Sequence, residues 1–573
     1  MKSTYAIMPY ELRKVNRKGE KFGAKAAARL KKPADCSIII LFIGKKGVRE
    51  MKKRTISVLT AVIMLCCALV PVYSVHAAYP SSDDVMSVAE GIIEWKKRSM
   101  GLSGSDNLLS PEYVSAAGSP AGDWYPIGLG RLGVADDYER YLAALRENVT
   151  ERYARDGGLD AVKATEWHRI SLAVLALGGD PTDFGTDSEG KPINLIADGV
   201  YNRKNLGAQG INGLIWGLIA LDAADFSVPD GAYYTRDGII AELLSLRCPD
   251  GGFAFSGEKS DPDMTAMAIT ALSPYYKSEK KYVTEDFSGG TVTVTVGEII
   301  DGALLRLSEM QLETGDYRSW GIRNSGSVCQ VIVALCSLGI DPFSDVRFIK
   351  NGVTLRDGLM IYKNSDGGFI GNLSDGNMPS GSMAGEQALY TMAAIIRQRS
   401  GAGRLFDFSD VRKTPVTFTE NDMATAEKVT AEIKTENFSE VLRLIYILDF
   451  CPEFEGKSEY AERLAAAKSE ILRIKAEVDD INSAIKNISR NTDRKSLDEI
   501  ARRYNALSDY DRAQIENYDD VLRAYARIKT SERATVTAVA TVFAIFAISV
   551  VTVASAKRRK KLRLPDDETE DDE

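Results

Sequence analysis

The sequence predicts an all-α protein: an α/α toroid of helical hairpins over residues 78–410, a helical stalk over 411–533 and one transmembrane helix over 534–556. Three observations carry this. A small-residue apolar segment ending in x-Ala-Leu or similar recurs as AVLAL (Ala173–Leu177), GLIAL (Gly217–Leu221), AITAL (Ala268–Leu272), VIVAL (Val331–Leu335) and ALYTM (Ala388–Met392). The spacings of 44, 51, 63 and 57 residues suit one helix pair plus loops per repeat. Beyond residue 420 the chain is charged, poor in glycine and carries a near-heptad apolar stripe, and Ala534–Ala556 is an uncharged apolar run of 23 residues.

Composition narrows the chemistry. The chain of 573 residues is 45% apolar and 27% charged, with a net charge of −8, which suits three or four globular units with a large core. Two histidines all but exclude His-rich zinc sites and leave little room for His-dependent triads.

The elements follow in order. Residues 51–77 read MKKRTISVLTAVIMLCCALVPVYSVHA, with a basic start at Lys52, Lys53 and Arg54, an apolar run, and Val75 and Ala77 at −3 and −1 of a small-residue cleavage site. This is the pattern of a secretory signal peptide beginning at its own methionine, so residues 1–50 are expected to be an over-extended start. After processing His168 would be the one histidine left, and residues 78–556 carry a net −19. So acidic a segment repels nucleic acid and anionic membrane surfaces. Of the four remaining cysteines, Cys329 and Cys336 lie seven apart on one predicted helix, about 10 Å and beyond disulfide reach. Buried free thiols are expected at these two and at Cys248 and Cys451, with one bridge involving Cys248 or Cys451 as the alternative.

Within the repeats, small residues on the recurrent segments let helices approach closely, which suits an inner ring. Arg236–Leu246 and Ile299–Met310 are amphipathic, with apolar residues at i, i+3, i+4 and i+7, and would form the outer ring. Five or six hairpins could close into a toroid; an open solenoid is the alternative. The loops CPDGGFAF (Cys248–Phe255) and NSDGGFIG (Asn364–Gly371) turn at Asp-Gly-Gly, and the following Phe is expected to plug the gap between hairpins. Thr291–Val296 alternates with period two after Ser288-Gly289-Gly290, predicting a small β-hairpin.

These residues resemble the prenyltransferase and squalene-cyclase repeat family, the α6/α6 toroid of terpenoid cyclases, prenyltransferase β subunits and cobalamin carriers. The stretches GDWYPIGLGRLG (Gly122–Gly133), GINGLIWGLIALD (Gly210–Asp222), DGGFAFSGEKSDPDMTAMAITAL (Asp250–Leu272), NSGSVCQVIVALCSLGIDP (Asn324–Pro342) and MAGEQALYTMAA (Met383–Ala394) are most similar to secreted or surface proteins of Gram-positive bacteria. The resemblance covers residues 85–405 and implies a fold more than a function.

Each chemistry that the resemblance implies meets a missing group. Class II terpenoid cyclases protonate an alkene with the middle Asp of D-x-D-D-T-A; here Asp261-Pro262-Asp263-Met264-Thr265-Ala266 keeps the acid position, Asp263, but has Met264 for the third Asp. Asp261 would otherwise cap a helix with Pro262 at its first position. Protein prenyltransferases use an Asp, Cys and His zinc site, and His168 has no Cys or Asp at ligand spacing. Thioester domains carry G-C-G-E-Q, where this chain has Ala384 before Gly385, Glu386 and Gln387; those last two are expected to cap and orient the last inner helix. A polysaccharide-processing enzyme would draw on Asp261, Asp263, Glu386 and His168. A cobalamin carrier would need a second β-rich domain, which the sequence lacks.

What remains is the concavity. Trp124, Tyr125, Trp167, Trp216 and Trp320 lie at helix starts or near loops, where aromatics at a toroid mouth stack on a sugar ring or flat apolar ligand; as an alternative, each is core. With His168, Glu386 and Gln387 they form the candidate binding set. Pro415 ends the repeats. In the stalk, Ala461–Ile488 bears a stripe of Leu464, Ile471, Ile474, Val478, Ile481, Ile485 and Ile488, suiting a hairpin or coiled coil, and Ser496–Ile528 resembles small helical repeats of bacterial surface proteins. KRRKKLR (Lys557–Arg563) follows the apolar run, so the positive-inside rule puts the C-terminus and its acidic tail, Asp566–Glu573, in the cytoplasm. The expected function is a membrane-anchored surface module that binds a small molecule, glycan or surface protein without catalysis, with no metal or cofactor. The alternatives are an enzyme using Asp263 as acid, and corrinoid binding.

Overall fold

The computed structural model describes residues 81–285, 290–373, 378–411 and 416–561. The chain divides into two units, Met1–Ala77 and Ala78–Glu573. The N-terminal extension, the signal peptide, the acidic tail, Ser288, Gly289 and Pro415 lie outside the described residues. The described part is mostly helical, with four short strands in two antiparallel hairpins.

The repeat region contains α1 (Ser82–Ser99), α2 (Pro111–Val114), α3 (Trp124–Leu132), α4 (Tyr138–Asp156), α5 (Thr165–Ala176), α6 (Ile211–Asp222), α7 (Arg236–Ser245), α8 (Pro262–Leu272), α9 (Val296–Met310), α10 (Ser325–Ser337), α11 (Leu355–Met360) and α12 (Ser382–Ser400). Each of the five recurrent apolar segments lies on a helix buried nearly all round. In α5, for example, every residue from Trp167 to Ala176 is buried, which marks an interior element. The helices between them are one-sided: α9 buries Val296, Ile299, Ile300, Ala303, Leu304 and Leu307 and leaves Leu305 exposed. Packing follows a fixed order. α3 packs on α5, α5 on α6, α6 on α8, α8 on α10, α10 on α12, and α12 on α3. The sixth member, α3, escapes the x-Ala-Leu pattern because glycine does the work of alanine there. A Cβ on Gly128 would stand 2.8 Å from Leu389 Cδ2 of α12, and one on Gly130 would stand 2.2 Å from the Ala176 carbonyl oxygen of α5.

The Asp-Gly-Gly loops turn as expected. Gly251 and Gly367 take φ of 89° and 90°, a region that only glycine enters without strain. Phe253 and Phe369 behind them are fully buried. A third, unforeseen copy uses Gly315 (φ 80°) and buries Tyr317, with Asp316 in place of the second glycine. Strand β1 (Lys281–Glu285) pairs with β2 (Thr291–Thr295), Lys281 opposite Thr295. The strand stops one residue short of Val296 because Thr295 caps α9: its hydroxyl accepts from the Glu298 amide at 3.2 Å, and its own amide donates to the Glu298 carboxylate at 2.7 Å. A second hairpin, β3 (Tyr317–Ser319) with β4 (Ile322–Asn324), turns at Trp320 and Gly321, both at positive φ (53° and 82°). Its three-residue strands are too short to show as period-two alternation.

The C-terminal part holds α13 (Glu420–Ala431), α14 (Phe438–Phe450), α15 (Lys457–Lys486), α16 (Arg494–Ala506), α17 (Asp509–Arg512) and α18 (Asp519–Lys561). The stripe on α15 serves two cores. Leu464 and Ile471 pack with α13 and α14, whereas Val478, Ile481 and Ile485 pack with α16 and α18. Within the segment expected to form a stalk from residue 411, α14 docks on α4. Leu442 and Tyr446 join the main core, Arg140 pairs with Glu440 and Arg146 with Asp449, both at 2.5 Å. α18 is long and apolar enough to cross a membrane, and its apolar window is uncovered by the rest of the chain. Cys248, Cys329, Cys336 and Cys451 are buried free thiols.

Candidate functional site

The buried helices α3, α6 and α12 bring one group of candidates together. Trp124 opens α3, and its ring lies edge-on to Trp216 of α6 at 5.5 Å and against Tyr390 of α12 at 5.6 Å. Trp216 in turn meets Phe406 at 5.5 Å. α3 and α6 are separated in the packing order by α5, so the Trp124–Trp216 contact joins helices that are not neighbours in that order. Both tryptophans are half-buried, while Tyr390 and Phe406 are buried. Phe406 belongs to the segment after α12, tied down where Arg131 donates to the Asp410 carboxylate at 2.9 Å and to the Asp407 carbonyl at 2.7 Å. Gln330 of α10 donates to the Tyr390 hydroxyl at 2.8 Å. Sequence reasoning misses Tyr390, Phe406 and Gln330; Tyr390 lies within the recurrent segment Ala388–Met392, where nothing local separates it from a packing residue.

At the start of α8 the two aspartates diverge. Asp261 is the N-cap: its carboxylate accepts from the amides of Met264 at 2.9 Å and Phe255 at 3.1 Å, and Pro262 is the first helical residue. Asp263 faces Ser327 and Ser319 and has one buried carboxylate oxygen, Oδ1, without a partner. Burial pushes its carboxyl above the ordinary range, against the two serine hydroxyls. If Asp261 is a cap, Asp261→Ala costs about 1 kcal/mol and Asp261→Asn leaves stability within about 0.5 kcal/mol, since Asn caps as well as Asp. Equal losses for both variants in thermal unfolding would contradict the cap role.

The remaining candidates sit elsewhere. Tyr125 is fully buried and Gly385 approaches it so closely that a Cβ there would lie 2.4 Å from its hydroxyl. Glu386 does not cap α12. The cap is Gly381, without a side-chain bond, and Glu386 points into a buried cluster with Lys96, Tyr113, Tyr125, Asp123 and Arg169, with Oε2 unpartnered. The reason is helical phase: Glu386 lies one turn inside the helix on its buried side. Burial raises its carboxyl to about 9. Gln387 is half-buried and closes on Gly326, where a Cβ would stand 2.6 Å from its Oε1. Trp167 is buried; its Nε1 donates to the Tyr153 hydroxyl at 2.7 Å and the Arg203 guanidinium covers its ring at 4.5 Å, so no face is free for stacking. His168 is 1% exposed, bonds the Gly199 carbonyl at 2.9 Å, and burial lowers it to about 4, which makes it a neutral core residue. Trp320 is 69% exposed at the tip of the β3–β4 hairpin. Among the described residues no group of three or more His, Cys, Asp or Glu could hold a metal ion.

Sequence reasoning missed Asp123, the most buried charge near these groups. It has no exposure, accepts from Arg169 Nε at 2.7 Å, from the Tyr141 hydroxyl at 2.5 Å and from the Gly118 amide at 2.8 Å. The signal was an arginine inside the apolar segment of α5, where a charge needs a partner. No family model, curated protein or solved structure matches the chain.

Proposed function

We propose that the helical repeats are an α/α toroid of the prenyltransferase and squalene-cyclase repeat class, held at the outer face of a Gram-positive membrane by α18 with the C-terminus inside, and that the toroid binds a ligand or partner without catalysis. The return of α12 to α3 in the packing order supports closure. The observation that carries the binding reading is the set of half-buried inner aromatics, Trp124 and Trp216, backed by Tyr390 and Phe406. Such a surface suits a sugar ring or a flat apolar molecule. A second reading has one observation behind it: Asp263, with a raised carboxyl and an unpartnered oxygen, is built like a general acid. Its facing groups are serine hydroxyls, and the neighbouring carboxylate, Asp261, is spent on the cap.

The test uses the full chain in detergent, with glycans, prenyl diphosphates and flat apolar dyes as probes. Saturable tryptophan-fluorescence quenching, weakened about tenfold or more by Trp216→Leu and unchanged by Asp263→Asn, is the expected result. Turnover of any probe that Asp263→Asn abolishes would overturn the binding reading in favour of the enzyme.

A further inference from the structure

A cleft of about 570 Å³ lies where the α15–α16 loop meets α18. Its walls include Ser489, Arg490 and Thr492 from the loop, and Arg527, Ser531 and Val536 from α18. Two features set it apart. Five arginines of this region are paired: Arg473 with Glu470, Arg502 with Glu499, Arg503 with Glu477, Arg512 with Asp509 and Arg523 with Asp520. Arg490 and Arg527 are exposed and have no ion pair or hydrogen bond among the described residues, although the chain around them is acidic overall. Among the described side chains no carboxylate lines the cleft. Two guanidiniums left free in an acidic protein and aimed at one space cost mutual repulsion, which an anion between them relieves.

The second feature is position. Thr535 and Val536 line the cleft and also begin the apolar run that starts at Ala534, while Arg527 lies seven residues, about 10 Å, before it along the helix. The loop tip therefore reaches the first turn of the apolar segment. One end of the cleft is cationic and hydroxyl-lined, and the other is apolar, with Ile528 and Val536. We propose that this cleft binds a phosphate ester at the membrane surface, the anionic headgroup of a phospholipid, with Arg490 and Arg527 on the phosphate and Val536 along the first part of the acyl chain. The proposal rests on α18 crossing the membrane.

The experiment places the full chain in nanodiscs of phosphatidylcholine alone, or of phosphatidylcholine and phosphatidylglycerol in equal parts. Lipids retained after release into detergent are counted by native mass spectrometry. Wild type should retain phosphatidylglycerol over phosphatidylcholine, and Arg490→Gln with Arg527→Gln should lower that preference about 30-fold, at about fivefold per arginine. Both side chains are exposed, so unfolding temperature should not move; Arg473→Gln with Arg502→Gln, which removes the same charge from paired sites, should leave the preference intact. Free glycerophosphate that competes at millimolar level would assign the site to a soluble phosphate ester instead of a lipid, and would support the anion site while overturning the lipid source. Equal retention of both lipids by wild type, with no effect of glycerophosphate, would overturn the site itself. A chain that stays soluble and never enters nanodiscs would overturn the membrane reading, a result distinct from insertion without lipid preference.

Discussion

Arg169→Ala is expected to remove about 3–5 kcal/mol of stability, because it strands a buried carboxylate. Asp123 has no solvent contact, and three donors hold it: the Arg169 guanidinium, the Tyr141 hydroxyl and the Gly118 amide. Arg169 is itself 6% exposed and also bonds Glu166 at 2.6 and 3.0 Å and the Gly118 carbonyl at 3.1 Å. Arg169 thus ties the loop before α3 to α5, and Tyr141 ties the same carboxylate to α4. Burial alone pushes the Asp123 carboxyl up, with Arg169, Tyr141 and Gly118 opposing it. Removing Arg169 leaves burial opposed only by the Tyr141 hydroxyl and the Gly118 amide, so Asp123 must either stay charged without a counter-ion or take up a proton. Chemical denaturation of wild type and variant at neutral pH measures the loss, and a change below about 1 kcal/mol would contradict the account. Asp123→Asn combined with Arg169→Ala should cost less than the sum of the two single changes, since the two groups share one network.

Glu386→Gln is expected to make the protein more stable at pH 8 than wild type and to leave it nearly unchanged at pH 5. Burial holds the Glu386 carboxyl near 9 in the folded chain, whereas an unfolded chain has it near the ordinary value of 4.5. The folded state then keeps a proton that the unfolded state gives up. Stability from this group is whole below pH 4.5 and is lost as pH rises toward 9, by up to about 1.4 kcal/mol per unit. Between pH 5 and 8 that amounts to at most about 4 kcal/mol, which the glutamine variant does not lose. Lys96 does not neutralise the group by contact: its ammonium bonds the Ser382 hydroxyl at 3.0 Å. Burial lowers the Lys96 ammonium, so its own contribution has the opposite sign: stability from it rises with pH, in a window at the alkaline end below 10.5. Identical pH slopes for wild type and Glu386→Gln would show that Glu386 is ionised in the folded protein.

Much of this was legible in advance. The helices carrying AVLAL, GLIAL, AITAL, VIVAL and ALYTM, the hairpin at Thr291, the Asp-Gly-Gly turns and the cap at Asp261 each follow from local rules: periodicity, left-handed glycine, and a carboxylate before a proline at a helix start. The site was less legible. Trp124 and Trp216 were chosen with Trp167, and nothing local separates them. The first two meet each other between helices that are not neighbours in the packing order, whereas the third is buried and covered by Arg203. His168 drew notice because it is rare, and rarity says nothing of burial. The motif position of Glu386 suggests a cap, but it lies one turn too far into the helix for that role.

By itself the sequence determined the mostly helical class, the positions of the recurrent apolar helices and the apolar segment of α18, because these depend on which residues alternate along one element. Tertiary structure alone decided which side chains meet. The pairing of Asp123 with Arg169, the docking of α14 on α4, the contact of Trp124 with Trp216 and the convergence of Arg490 with Arg527 join residues 37 to 303 positions apart. Such contacts depend on packing between elements, which the spacing along any one element does not encode.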